Sequence, residues 1–144
     1  MRHVLLATDG SEASERATHV AAEVAKSLSA ELTIFSVAGT MELSRREIRE
    51  IERAEGNAAD ALDEQATQIL ARAASIARKS GVPTVHTDAG WGDPAAQIID
   101  AASRLKADSI VMGRRGHGRL AGLLMGSVSQ KVASLAPCVV VLVP

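Results

Sequence analysis

Short apolar segments alternate along the chain with longer segments in which apolar residues recur every three or four positions. The short segments occupy residues 2–8, 31–37, 81–88, 108–113 and 138–143. Four of them are rich in apolar residues, whereas residues 81–88 are predicted as a strand that follows the helix-ending Gly81. Apolar runs of about four to eight residues, bounded by turn-forming residues, are typical of strands buried in a parallel sheet. We therefore predict five strands.

The segments between these strands have the periodicity of amphipathic helices. The second of them, residues 44–80, is long for a globular helix, and Gly56–Asn57 marks a possible break in it. Asp93 fits the N-cap of the third helix, with Pro94 at its first helical position. The fourth helix is short and is predicted to end at Leu135.

The alternation of strands and helices predicts an α/β fold, in which helices cover both faces of a parallel sheet. A length of 144 residues fits one domain, residues 1–144. No internal repeat or low-complexity segment interrupts this pattern.

Composition narrows the functional classes. The chain has one Phe, one Trp and no Tyr, so stacking platforms for single-stranded nucleic acid are not expected. The net charge is −1, yet residues 109–144 carry +4 and no acid, which leaves −5 for residues 1–108. This uneven distribution favours a local anion site over a broad nucleic-acid surface.

The single cysteine, Cys138, excludes an intramolecular disulfide, and its apolar neighbours predict a small buried side chain. No apolar run reaches the length of a membrane span, and no signal peptide is recognised at the N-terminus. We expect a cytoplasmic protein without a membrane partner.

Five glycines lie between the fourth strand and the last helix, at positions 113, 116, 118, 122 and 126. The Walker pattern fails here, because Arg119–Leu120 stand where it needs Lys and Ser or Thr. The dinucleotide fingerprint fails too, because no acid follows Asp108 to bind a ribose.

A simpler phosphate cradle remains. Gly116 would let the backbone approach a ligand, and Gly126–Ser127 would open a helix whose free N–H groups bind anions. Arg114, Arg115 and Arg119 could add positive charge. The alternative is a surface loop that binds nothing, with Ser127 and Gln130 forming a capping box.

The spacing Gly113-x2-Gly116-x9-Gly126-Ser127 resembles the ATP-binding signature of the universal stress protein family. Further matching segments are VLLATDGSEASERA, GDPAAQII, DSIVMGRRG and GSVSQKVASLAPCVVVLV, and residues 38–80 match only loosely. The resemblance implies a Rossmann-type, adenine nucleotide alpha-hydrolase-like sheet of order 3-2-1-4-5. Its ligand would bind where that order reverses, between strands one and four.

The resemblance also implies roles for individual residues. Asp9 matches the acid near the ribose and a phosphate-bound Mg²⁺ or Mn²⁺; its alternative role is to cap the first helix in a box with Glu12. The wall beside the adenine matches Ala7, which replaces a proline common in the family, and Thr8. Val37 matches an adenine contact, and Met112 matches the residue that lies under the sugar and base. The phosphate cradle matches Gly113, Gly116, Gly126, Ser127 and Val128. His117 also lies in the loop that the resemblance assigns to ATP binding, but a histidine at this position differs from the residues typical of the family.

Three functions follow from these residues. The first is an ATP-binding regulatory protein of the stress response, which holds ATP, ADP or AMP. The second is a slow ATPase on the same site, although no nucleophile–base pair, zinc cluster or carboxylate dyad is evident. The third is an interaction module without ligand. For all three we expect a homodimer through strand 138–143, whose apolar edge favours pairing.

Overall fold

The computed structural model describes residues 1–38, 58–116 and 126–144. The strands in these ranges are β1 His3–Ala7, β2 Glu31–Ala38, β3 Val85–Trp91, β4 Ser109–Gly113 and β5 Val139–Val143. The helices are α1 Glu12–Leu28, α2 Ala58–Lys79, α3 Pro94–Arg104 and α4 Ser127–Leu135. The predicted alternation of strands and helices is confirmed. Residues 44–57 of the long predicted helix, with its possible break, lie outside the described residues.

The sheet has the order β3-β2-β1-β4-β5, and all four neighbouring pairs run parallel. The predicted fold class and strand order are thus confirmed. In the register of the central strands, Ala7 is the partner of both Phe35 and Met112. The order reverses between β1 and β4, where the two strand ends leave a crevice at the carboxyl edge of the sheet.

The third strand differs from its prediction. It begins at Val85 and extends to Trp91, three residues beyond the predicted end at Asp88. Because β3 is an edge strand, much of it is exposed, and its sequence includes the polar Asp88 and the glycine Gly90. β3 therefore lacks the continuous apolar run that revealed the central strands and β5.

Two apolar clusters hold the helices to the sheet. Val4, Leu6 and Ile34 face α1 and α2, while Leu5, Phe35 and Ile110 face α3 and α4. All six side chains are almost wholly buried. Burying a large aliphatic or aromatic side chain stabilises a fold by about 1.5–3 kcal/mol. Burial on both faces fixes the central strand ends on which the site is built.

The helix caps correct two alternatives. Ser11 caps α1, where its side chain accepts a hydrogen bond from Ser14 N at 3.2 Å, so a capping role for Asp9 is wrong. Gly126 is the N-cap of α4 and Ser127 its first helical residue, so a capping role for Ser127 is also wrong. The Asp93 cap of α3 is confirmed, with Ala96 N 3.0 Å from its carboxylate.

Within the three described ranges, no helix combines the length and apolar character needed to cross a bilayer.

Candidate functional site

A cavity of about 360 Å³ opens at the crevice between the ends of β1 and β4. Its wall includes every predicted site residue except one: Ala7, Thr8, Asp9, Val37, Met112, Gly113, Gly116, Gly126, Ser127 and Val128. The exception, His117, lies outside the described residues. The topology thus gathers positions that are more than a hundred residues apart in the chain.

One end of the cavity is apolar. Ala7, Phe35, Val37 and Met112 come from the three central strands, and Pro94 and Ile98 come from α3. The strand residues in this set are nearly inaccessible to bulk solvent. This end can hold a flat, uncharged ring system and shield it from water.

Val37 adds polar backbone groups to the apolar end. The ladder between β1 and β2 ends with the hydrogen bond from Thr8 N to Phe35 O, at 3.0 Å. Successive residues of a strand form hydrogen bonds to the neighbouring strands on opposite sides. The N–H and C=O groups of Val37 therefore point towards β1, at a level just past the end of that strand. A donor and an acceptor of the main chain therefore border the cavity.

The other end is polar and is organised around Asp9. One carboxylate oxygen of Asp9 accepts a hydrogen bond from Ser11 N at 2.9 Å, which holds the acid beside the start of α1. Gly116 lies against this carboxylate so closely that a Cβ at position 116 would collide with it. A side chain at position 116 would have to displace the Asp9 carboxylate, which gives the glycine at this position a steric reason.

The loop between β4 and α4 is closed at its base by one peptide group. The carbonyl oxygen of Arg114 accepts hydrogen bonds from Gly126 N at 2.9 Å and from Ser129 Oγ at 2.6 Å. Arg114 N in turn donates to Val143 O of β5 at 2.7 Å. These bonds hold the N-terminus of α4 next to Gly116, so that the free N–H groups of its first turn border the cavity.

Sequence reasoning missed several wall residues: Ser11, Ser14, Phe35, Pro94, Ile98 and Ser129. Phe35 had a usable signal, because it lies two residues before Val37 and hence on the same face of β2. Pro94 and Ile98 are four apart on α3 and share one helix face, but nothing in the sequence shows which strand that face covers.

Among the described residues, the other candidate groups form no second reactive centre. Within the described part of the chain, no three His, Cys, Asp or Glu side chains are placed to hold a metal ion. Burial, together with the charge of Asp108, raises the pKa of the Cys138 thiol, which disfavours the nucleophilic thiolate. Trp91 ends β3, and its indole N–H donates to Asp63 at 2.8 Å.

Comparisons with known proteins agree with this architecture. The model of the universal stress protein family matches residues 1–144. A universal stress protein of Thermus aquaticus is 36% identical over 147 residues, covering 97% of this chain and 96% of that relative. A solved universal stress protein in complex with cAMP is 27% identical, with a TM-score of 0.74 and coverage of 99% and 97%. The universal stress protein UspA from Lactobacillus plantarum, 23% identical with the same coverage and a TM-score of 0.82, shows the same fold.

Proposed function

Because this chain belongs to the universal stress protein family, we propose that it is a regulatory stress-response protein whose cavity binds an adenine nucleotide. The ligand is ATP, or its products ADP and AMP, with Mg²⁺ or Mn²⁺ on the phosphates. The observation that carries this proposal is a single cavity with an apolar end and an end rich in backbone N–H groups. A nucleotide has the same division, with a flat base at one end and phosphates at the other.

The apolar end supports recognition of the base. Ala7 and Met112 come from paired positions of neighbouring strands and offer an apolar surface for one face of a purine. The N–H and C=O groups of Val37 complement adenine, whose N1 accepts and whose amino group donates a hydrogen bond. Guanine has the opposite pattern on this edge, so the same backbone groups favour adenine.

The polar end supports binding of the phosphates. Gly116 leaves room for close approach, and the first turn of α4 offers free N–H groups at Ser127 and Val128, which also line the cavity. A helix N-terminus favours negative charge through its dipole as well as through these donors. Arg115, which also lines the cavity, adds a cation.

Asp9 is the only carboxylate among the described residues that line this cavity. One oxygen-donor side chain suits a divalent ion that phosphates and water mainly coordinate, which is the usual mode for Mg²⁺. In this proposal Asp9 also accepts a hydrogen bond from the ribose. The related protein solved with cAMP, at 27% identity, supports an adenine nucleotide as the ligand class.

We further propose that two copies pair through β5. This strand is at the edge of the sheet, and its Val139 is 57% exposed. An apolar edge with unpaired backbone groups favours pairing with a second copy, and a two-fold axis would make that pairing antiparallel.

The decisive experiment is mass spectrometry of small molecules released from gently purified protein, followed by thermal denaturation with added ATP and Mg²⁺. A ligand at a hundredfold excess over its Kd stabilises by about 2.7 kcal/mol. For a chain of this size, that stabilisation corresponds to a rise in Tm of roughly 5–10 °C. The matched control is Gly126→Val, whose branched side chain blocks the phosphate approach. Absence of a Tm shift in the wild type, or an equal shift in Gly126→Val, contradicts the proposed site.

A further inference from the structure

Gly90 lies behind the apolar end of the cavity without lining it. It is the register partner of Val37 in the neighbouring strand, and the ring of Phe35 extends towards it. A Cβ placed on Gly90 would lie 2.9 Å from Phe35 Cζ and 2.9 Å from the side-chain oxygen of Gln97. Both distances are shorter than the van der Waals contact of a carbon with another carbon or with an oxygen, so a side chain at position 90 must displace its neighbours.

The two neighbours differ in how they can respond. Gln97 is half-buried on α3, and its amide is the far end of a flexible chain that can rotate towards solvent. Phe35 is 2% exposed and belongs to the cluster that α3 and α4 cover. Phe35 also lines the cavity, which offers open space to its side chain. A ring pushed away from Gly90 therefore moves into the cavity.

We propose that Gly90 is a positioning residue that determines the ligand specificity of this cavity. By leaving room for the Phe35 ring over β3, it gives the apolar end the width of a purine. A glycine inside a strand often marks the close approach of another group, and here that group is the wall of a binding site. This inference rests on the proposed nucleotide function and names the residue pair that adjusts its base selectivity.

The test is a double-mutant cycle on Gly90 and Phe35, read out by calorimetric titration with ATP and with CTP. Gly90→Ala should weaken ATP binding at least about tenfold, because overpacking narrows the base end. Binding of CTP should fall by a smaller factor, since a pyrimidine ring reaches less far towards Phe35. In the background of Phe35→Leu, which lacks the Cζ atom, Gly90→Ala should change ATP affinity by less than about twofold.

Ala89→Ser is the matched control. Ala89 is exposed and adjacent in β3, and its side chain points to the opposite face of the sheet. This variant should bind ATP as the wild type does. If Gly90→Ala acted only by weakening the strand, it would lower the affinities for ATP and CTP by the same factor. The same loss would then also occur in the Phe35→Leu background.

The outcomes separate this inference from the proposed function. If the wild type binds no nucleotide, both are overturned. If the wild type binds ATP and Gly90→Ala binds it equally well, only the role of Gly90 is overturned. The same conclusion follows if the two nucleotides lose affinity equally, or if Phe35→Leu leaves the effect of Gly90→Ala intact.

Discussion

The hydroxyl of Ser129, on the first turn of α4, donates a 2.6 Å hydrogen bond to the carbonyl oxygen of Arg114, just after β4. Ser129 is 2% exposed, so this bond is shielded from water. Gly126 N donates to the same oxygen. The first turn of α4 is therefore held against the strand end, and the proposed phosphate donors depend on this contact.

Ser129→Ala should lower the free energy of unfolding by about 1–2 kcal/mol, because it removes one of the two donors to the part-buried carbonyl of Arg114. It should also weaken ATP binding, since the α4 N-terminus loses its restraint. The control is Ser134→Ala on the same helix, where an exposed hydroxyl donates to Gln130 O at 2.9 Å. That variant should stay within about 0.5 kcal/mol of the wild type in chemical denaturation. Equal stability and affinity for both variants would contradict a structural role for the Ser129 bond.

Two glycines of the signature should respond differently to alanine. A Cβ on Gly113 would lie 2.9 Å from Ala13 Cβ and 3.0 Å from its backbone carbon, so Gly113→Ala should destabilise the fold by about 1–3 kcal/mol. A Cβ on Gly126 meets nothing closer than 3.6 Å, and φ there is −75°. Gly126→Ala should therefore keep its Tm within a few degrees while ATP binding weakens. Paired thermal and calorimetric measurements check this, and a destabilised Gly126→Ala would show that its role is structural.

The different roles of these glycines show what sequence spacing can and cannot reveal. The spacing identified Gly113, Gly116 and Gly126 together, because it resembles the ATP-binding signature of the family. It could not tell that Gly113 contacts α1 and Gly116 contacts Asp9, since both partners are about a hundred residues away. The alternation of strands and helices followed from the pattern of apolar runs, which depends on burial, whereas the strand order and the site residues followed from the family resemblance.

Local signals were less decisive where two residues competed for one role. In the segment Asp9-Gly10-Ser11-Glu12, both Asp9 and Ser11 suit an N-cap. The structure uses Ser11 as the cap and leaves the Asp9 carboxylate at the cavity. The spacing from Val37 could have identified Phe35 as a wall residue, but its proposed role depends on the space beside Gly90, which lies in a different strand.

Pairing through β5 predicts that Val139→Lys dissociates the dimer. Val139 is exposed and starts the edge strand, so a lysine there adds charge at the proposed interface without entering the core. The matched control is Thr87→Lys on β3, the opposite edge of the same sheet. Sedimentation should show a dimer for the wild type and the control, and a monomer for Val139→Lys. A monomeric wild type at micromolar concentration would contradict the proposed contact.

Asp108 predicts an acid-dependent part of stability. Hydrogen bonds from Arg2 N at 2.6 Å and His3 N at 2.8 Å lower the pKa of its carboxyl below the ordinary 3.8. Because the folded-state pKa is the lower one, the stabilisation is fully present above pH 3.8 and is lost as pH falls through the lowered value. Asp108→Asn should lower Tm near neutral pH, and its difference from the wild type should shrink on acidification. The control is Asp100→Asn, which replaces an exposed acid on α3. If the difference in Tm between Asp108→Asn and the wild type were the same at every pH, the proposed role of the Asp108 carboxylate would be contradicted.

Nucleotide turnover should be slow. Hydrolysis needs an attacking water held in line with the γ-phosphate, as well as charge stabilisation of the transition state. In the proposed complex, backbone N–H groups of α4 would hold the ground state and the transition state alike, and such uniform binding does not raise kcat. Asp9 is the only carboxylate among the described cavity residues, and its proposed role is to bind the ribose and the metal ion. Phosphate release from ATP and Mg²⁺ should therefore stay well below about 1 s⁻¹, the lower limit of ordinary enzymes. A faster rate that disappears in Gly126→Val or His117→Ala would show that the site is an ATPase, because those changes alter the binding loop without removing Asp9.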